Sequence, residues 1–443
     1  MPGIAVEHGQ GQSHGPSHAR AAISPEWRIT LLALLVRLVL LVASHGFVFV
    51  ETRFTDQYSF QNEATNIAAS IANGHGFSSP FVGALAGDPH MPPTSWLGPI
   101  YPYFCAAFFA LFGVFSRHSY LCILLIQCLA SALTCIPILR IAEMTVGRRA
   151  GMVAAITWAL FPWFSRWPIT WIWEITFSTL LLAWLFWFAL RLERETSRRM
   201  WIGYGALWGF ALLMNPALLT FLAVSLAWIA LRRMRAKTEW LKPALLALFA
   251  CVVVVSPWLV RNRIVFGQWA FLRTNFGFEF VMGNVHGGGG RDWVMRSPIA
   301  NLAELADYRR MGELAYVHAK AEQGKRFVRA YPREFLTLTL KRMAMYWDGS
   351  TGAFNTPVAA IWMPWSFLPL SILAAPALLL ACMRRVHGWQ LYLGAILFYP
   401  LPYYITFSQM RYRNAIEPLM LLLIAWMVLR QFQEARSGSG GLK

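Results

Sequence analysis

An all-α bundle of about ten membrane-crossing helices is the fold this sequence predicts, and three observations predict it. Of 443 residues, 57% are hydrophobic and only 14% are charged, with a mean hydropathy of +0.45. The apolar residues gather into runs long enough to cross a bilayer, which takes about 20 residues of helix. Short loops between those runs are crowded with arginine, as cytoplasmic loops of membrane proteins are. Such a composition excludes a soluble globular enzyme, a disordered chain and a disulfide scaffold.

The elements follow in order. Residues 1–27 are rich in Gly, His and Ser and have no apolar core, so they read as a disordered cytoplasmic tail and not as a signal peptide. The first apolar run is 28–50, and the mixed stretch 51–97 after it holds most of the early acids. Further runs are 98–115, 119–140, 150–165, 172–190, 200–214, 216–231 and 241–260. A polar region, 261–350, contains an amphipathic stretch near 300–345, where Phe327, Phe335, Leu338 and Met345 alternate with Arg326, Arg329, Arg333, Lys341 and Arg342. Three last runs are 357–383, 389–407 and 413–430. Four units result: a membrane module over 28–260 with an outer loop 51–118, an outer helical region 261–350, crossings within 351–430, and a cytoplasmic tail 431–443.

Charge placement sets the topology. Four short loops carry Arg140, Arg148 and Arg149; Arg191, Arg194, Arg198 and Arg199; Arg232, Arg233, Arg235, Lys237 and Lys242; and Arg384 and Arg385. All four belong on the cytoplasmic side. They fall there only if 98–115, which begins with Pro99 and Pro102, does not cross but lies along the outer interface. Both termini are then cytoplasmic in a multi-pass protein of the inner membrane.

The formal charge of +18 has the same explanation in part: basic residues set topology, and 261–350 holds 14 Lys and Arg against eight acids. No soluble segment carries a basic stripe with interleaved aromatics, so nucleic acid is not expected as a partner, whereas anionic lipid is. The six cysteines lie in or beside apolar runs with no C-x-x-C pair, and read as small buried side chains.

Acids are scarce before residue 250, which singles out the outer-facing ones. Asp56 follows the first run, and Glu63 lies seven residues on, which would place both on one face of a single helix. Glu174 stands among Trp and Ile at the mouth of a run, in ITWIWEITF, where a carboxylate is costly without a partner or a task. A second reading is a carboxylate favoured by a helix dipole. Converging carboxylates suit general-base chemistry on a hydroxyl, and equally a divalent cation. His75, in GHGF, is a ligand candidate or a histidine beside a turn. Arg261, in PWLVRN, and Arg411 and Arg413, in SQMRYRN, offer guanidinium forks to phosphate or snorkel to headgroups. Tyr58, Trp171 and Trp173 are candidates for stacking on a sugar or for anchoring at the interface. The Gly287–Gly290 run lacks the Lys-Ser/Thr of a phosphate loop and reads as an outer loop.

The order of these motifs over residues 28–430 resembles the membrane-embedded GT-C glycosyltransferases that use polyprenyl-phosphate sugars. That group includes protein O-mannosyltransferases, lipid A aminoarabinose transferases and rhizobial lipopolysaccharide glycosyltransferases. The motifs are Asp56 with GHGF at 74–77, LGPIYPYF at 97–104, Glu174-Ile-Thr-Phe, PWLVRN at 257–262, Gly283-Asn284, YPREFL at 331–336, and RYR at 411–413. Gln57 stands where an acid usually follows the first Asp, and WLGPIYP departs from R-P-P-G-Y-P. The resemblance implies an inverting transfer of a sugar from a polyprenyl-phosphate carrier to a glycan, lipid or protein hydroxyl outside. It implies Asp56 as base, with Glu63 as the alternative, and Glu174 positioning the acceptor. Arg261, Arg411 or Arg413 would stabilise the phosphate, and Tyr58, His75, Tyr101 and Asn284 would contact substrate. No organic cofactor is expected, and relatives differ over a divalent metal. A lipid-linked-substrate transporter or flippase, or an O-antigen ligase or polymerase, is the alternative. Charges within the crossings would favour the transporter, and Arg37 is the clear case of one.

Overall fold

The structure is a computed structural model, and it describes residues 24–45, 60, 62–81, 92–287, 297–349 and 357–439. Among these residues there is no strand, only an isolated bridge between Ser78 and Pro93. The protein is an all-α, multi-pass membrane protein. Its helices are α1 (Pro25–His45), α2 (Glu63–Ala72), α3 (Ile100–Phe112), α4 (Arg117–Leu133), α5 (Cys135–Met144), α6 (Arg148–Leu160) and α7 (Pro162–Thr170). Then follow α8 (Ile175–Leu192), α9 (Arg198–Met214), α10 (Leu219–Arg235), α11 (Leu241–Phe266) and α12 (Phe276–Gly283). The last are α13 (Leu302–Met311), α14 (Glu313–Ala330), α15 (Pro332–Asp348), α16 (Pro357–Met383), α17 (Trp389–Phe398), α18 (Leu401–Ile405) and α19 (Glu417–Ser439).

Six helical segments among the described residues are long and apolar enough to cross a membrane. They are Pro25–Ser44, Arg117–Met144, Ile175–Leu192, Pro216–Arg235, Leu241–Phe266 and Met410–Ala435. The sequence counted about ten, and proline accounts for two of the differences. Run 150–165 is split at Pro162 into α6 and α7, and run 389–407 is split near Pro400 into α17 and α18, because proline cannot continue the backbone ladder. α3 has 13 residues. At 1.5 Å per residue that is about 20 Å, too short for a hydrocarbon core of about 30 Å. It lies against α2 and α4.

The amphipathic 300–345 stretch is three helices rather than one. Gly312, at φ +76°, separates α13 from α14, and Pro332 opens α15. Phe327, Leu338 and Met345 are buried, whereas Arg326, Arg329, Arg333 and Lys341 are exposed. Arg342 departs from that pattern. It is fully buried and donates to the Tyr404 carbonyl (2.6 Å), the Gly283 carbonyl (2.5 Å) and Asn284 Oδ1 (3.1 Å).

Arg37, the lone charge in the first run, is also sealed. Its guanidinium donates to Ser131 Oγ (2.8 Å) and to the carbonyls of Ala33 (3.0 Å) and Trp158 (3.1 Å). It joins α1, α4 and α6 and lines no path, so it gives no support to a transport reading.

The contact between α9 and α11 is built on small residues. Gly205 and Gly209 form a G-x-x-x-G spacing, and a Cβ on Gly205 would sit 1.9 Å from the Ala247 carbonyl. Such spacing lets two backbones approach where no hydrophobic driving force separates lipid from side chain. Gly205→Leu is therefore expected to destabilise the detergent-purified protein by about 1–3 kcal/mol of overpacking or more, read as a lower melting temperature. Gly203→Leu meets open space and leaves it unchanged.

Candidate active site

A cavity of about 510 Å³ opens where the helix ends meet. Its charged and amide lining comes from five places in the chain: Asn62 and Glu63 at the start of α2, Glu174 before α8, Asn215 after α9, Arg273, Asn275 and Glu279 around α12, and Gln409 and Arg411 before α19. Trp171, Trp173, Tyr403, Phe407 and Tyr412 supply aromatic walls.

The local folding of each wall follows from its sequence. Asn62 caps α2 in a reciprocal box: its side chain accepts from the backbone N–H groups of Ala64 and Thr65, and its own N–H donates to Thr65 Oγ1 (2.9 Å). It therefore starts α2, so Asp56 and Glu63 do not share one helix as the seven-residue spacing suggested. Asn62 Nδ2 also donates to the Ile172 carbonyl (3.0 Å), which ties Glu63 to the Trp171–Glu174 segment. Pro162 and Pro168 help to make α7 short, and the chain turns at Trp171 before α8. Glu63, Glu174 and Glu279 each sit at the N-terminal end of a helix, where a negative charge is favoured.

Arg411 is the cation of the site. It is 7% exposed, and its Cζ lies 4.8 Å from the ring centroids of both Trp171 and Trp173 and 5.2 Å from that of Tyr412. Its Nη2 makes one long contact to the Tyr412 hydroxyl (3.5 Å), and its buried Nε has no acceptor among the described residues. No described carboxylate forms an ion pair with it.

The acids are held above the usual carboxylate range. Burial is the main cause at Glu63, opposed by Arg273, the Trp96 indole and Arg411 and reinforced by Glu174. Burial also raises Glu174, against Arg273. It brings Glu279 to about 7, with Arg273 pulling the other way. These groups feel one another through a low-dielectric cavity, so their protons are linked.

A second cavity, of about 1350 Å³, is almost wholly apolar. α15, α16 and α17–α18 line it through Met343, Trp347, Ile372, Leu379 and Leu401. Thr220, Phe276 and Pro402 border both cavities, so an apolar groove runs to the edge of the polar one.

The residues singled out from the sequence divide three ways. Glu63, Glu174 and Arg411 meet in the cavity. Asp56 and Tyr58 lie outside the described residues. Five others are elsewhere. Arg413 is fully buried in an ion pair with Glu417 (3.0 Å) and also donates to the Phe367 carbonyl (3.0 Å). Arg261 donates to the carbonyls of Thr94 (2.6 Å) and Phe77 (2.9 Å). Tyr101 donates to Gln127 Oε1 (2.8 Å). Asn284 donates to the Ile405 carbonyl (2.8 Å) and accepts from Arg342. His75 is exposed, between Gly74 (φ +84°) and Gly76 (φ +69°) in the turn after α2. Each has a partner or place of its own, and none of the five lines the cavity.

Arg273 and Glu279 were missed. The signal was there: Glu279 stands in FGFEF, an acid among phenylalanines, by the same criterion that selected Glu174. Among the described residues no three His, Cys, Asp or Glu side chains converge as metal ligands.

Residues 93–260 match a family profile described as dolichyl-phosphate-mannose-protein mannosyltransferase. The crystal structure of the Archaeoglobus fulgidus oligosaccharyltransferase tethered with an acceptor peptide aligns over 92% of this chain and 50% of that one, at 14% identity and a TM-score of 0.52. The A. fulgidus oligosaccharyltransferase AglB in complex with an inhibitory peptide and a dolichol-phosphate aligns over 94% and 52%, at 15% identity and 0.48. ArnT from Cupriavidus metallidurans bound to undecaprenyl phosphate aligns over 89% and 78%, at 13% identity and 0.39. No curated protein matches by sequence. The chain thus shares its fold with the archaeal oligosaccharyltransferase, and it spans about half the length of that protein.

One buried carboxylate braces the site without lining it. Glu313 accepts from the Ser95 N–H (2.9 Å), Thr274 Oγ1 (2.6 Å), the Tyr308 hydroxyl (3.0 Å) and Thr94 Oγ1. Thr274 is the neighbour of Arg273, so Glu313 fixes the loop that presents the cavity's second arginine. Glu313→Ala strands four buried donors at about 1–3 kcal/mol for each left unpaired. It is expected to melt at a lower temperature in detergent than Glu313→Gln, which keeps an acceptor.

Proposed function

We propose that the protein is an integral-membrane glycosyltransferase that moves a sugar from a polyprenyl-phosphate carrier to an acceptor hydroxyl. The single observation that carries this reading is Arg411, a buried guanidinium with no carboxylate partner in an acid-lined cavity whose edge is shared with an apolar groove. A phosphate linked to a hydrocarbon tail fits that pair of cavities: the phosphate meets the cation in the polar one, and the tail passes the shared edge into the groove. The match of residues 93–260 to a family described by a lipid-phosphate sugar supports the donor class.

The chemistry is a single displacement. The acceptor oxygen attacks the anomeric carbon, the bond from that carbon to the phosphate oxygen breaks, and the phosphate leaves with the electron pair. Phosphate needs little protonation to leave, so positive charge placed where negative charge develops is the larger contribution. Arg411 supplies it, in surroundings that exclude water. The acceptor proton goes to a carboxylate. Asp56 holds that role by its position after the first crossing, and Glu174 and Glu63 orient the acceptor or share the work. The displacement inverts configuration at the anomeric carbon.

On this reading the cavity faces the outside of the inner membrane and both termini are cytoplasmic, as the arginine-rich loops favour. The acceptor is a hydroxyl of a glycan, a lipid or a protein.

The test is consumption of a labelled undecaprenyl-phosphate monosaccharide by membranes carrying the protein. Arg411→Ala is expected to lower turnover about 100- to 1,000-fold, the usual effect of removing one oxyanion-stabilising donor. Asp56→Asn and Glu174→Gln are expected to abolish or strongly reduce transfer while insertion into the membrane is unchanged. Movement of intact donor across the membrane with no cleavage of the sugar–phosphate bond would establish a transporter instead.

A further inference from the structure

Glu279 lies on α12, outside the segment that matches the family profile. Its carboxylate is fixed on one side only. Oε1 accepts from Asn275 Nδ2 (2.8 Å) and Arg273 Nη2 (3.3 Å), and Arg273 Nε donates in turn to Asn275 Oδ1 (2.6 Å). The three side chains close a ring of hydrogen bonds that sets the plane of the carboxylate. Oε2 accepts no hydrogen bond from any described residue and is not sealed from the cavity. An oriented carboxylate with one open oxygen is built to accept a hydroxyl hydrogen.

Its place on α12 says which hydroxyl. Phe276, one turn earlier on the helix, borders both the polar cavity and the apolar groove, while Glu279 and Met282 face the polar cavity. α12 thus runs from the groove into the cavity. Glu63 and Glu174 enter from α2 and α8 instead. A group attached to a phosphate at Arg411, on a tail passing Phe276, lies beside α12.

We propose that Glu279 contacts the sugar carried by the donor and selects among sugars through a hydroxyl held at Oε2. This rests on the transferase reading above. A site built to bind a hydroxyl discriminates strongly against an analogue that places it elsewhere, because the buried group is then unpaired. Arg273 and Asn275 act as positioning residues: they aim the carboxylate and do not touch the sugar. The titrating groups facing Glu279 are Glu63, Glu174, Arg273 and Arg411. Burial keeps Glu279 protonated below about pH 7, so its power to accept fades as pH falls through that value.

The experiment offers mannosyl, glucosyl and galactosyl undecaprenyl phosphates separately to the full-length protein and to two variants. Wild-type protein is expected to prefer one sugar by about tenfold or more, with the preference shrinking below about pH 7. Glu279→Ala brings the three donors to within about threefold of one another, through loss at the favoured sugar. Glu279→Gln keeps an acceptor for Asn275 and Arg273, folds as wild type, and shows a donor preference that no longer changes with pH. A preference unchanged in Glu279→Ala, or an altered KM for acceptor alone, overturns the assignment and leaves the transferase reading intact. Failure of wild-type protein to consume any donor overturns both.

Discussion

A guanidinium taken out of water costs several kcal/mol unless its charge and its donors are met. Four buried arginines show how this bundle handles that cost. Arg37 is met by a hydroxyl and three carbonyls, Arg342 by two carbonyls, an amide oxygen and a hydroxyl, and Arg413 by Glu417, two carbonyls and a hydroxyl. Arg411 has three aromatic faces and an unmet Nε. The aromatic rings offset part of the desolvation, since a cation over a π-face is worth about 0.5–2 kcal/mol, but they supply no counter-charge. The surrounding fold must hold that cation in place, and most of what borders the cavity reads as the means of doing so.

The holding is done from outside the cavity. Glu313 gathers donors from residues 94–95, 274 and 308, and Arg261 and Asn262 grip the same loops. Arg342 ties the end of α12 to the end of α18, where a Cβ on Gly283 would lie 1.7 Å from the Thr406 carbonyl. The cavity itself is made of helix ends and connections, which alone present unpaired polar groups in an apolar bundle. Rigid clamps behind flexible connections give a site whose geometry is set before a ligand arrives, and preorganisation of that kind is what electrostatic stabilisation of a leaving group requires.

The fold class was legible because hydrophobic runs and arginine loops are local, additive signals. The site was legible in part. Glu174 and Arg411 were found by one rule, that a charge at an apolar boundary needs a reason. The same rule also selected Arg413 and Arg261, which lie outside the cavity, because a sequence does not say that Glu417 or the Thr94 carbonyl stands opposite. It underreached at Glu279, since acids were weighed only where they were scarce along the chain. Arg273 and Glu279 lie in a region with many charges, and only folding separates the few that turn inward. Reading 56–63 as one helix does not hold, because Asn62 caps the start of α2.

The two cavities carry complementary information, and their shared edge constrains the chemistry more than either alone. A polar cavity of about 510 Å³ would take many small substrates. An apolar groove of about 1350 Å³ would take many lipids. On the proposed reading, one molecule with both characters spans their shared edge, and the described arginine at the polar cavity left without a counter-ion meets its anionic link. Acids line the cavity while Arg411 stays unpaired among aromatic rings, so a fixed carboxylate does not quench the cation before the ligand arrives. Such a separation is unfavourable for the empty protein and favourable for the complex, which is the signature of binding energy reserved for a reacting group. The fold tolerates that imbalance at Arg411, while Arg37, Arg342 and Arg413 each have oxygen acceptors of their own.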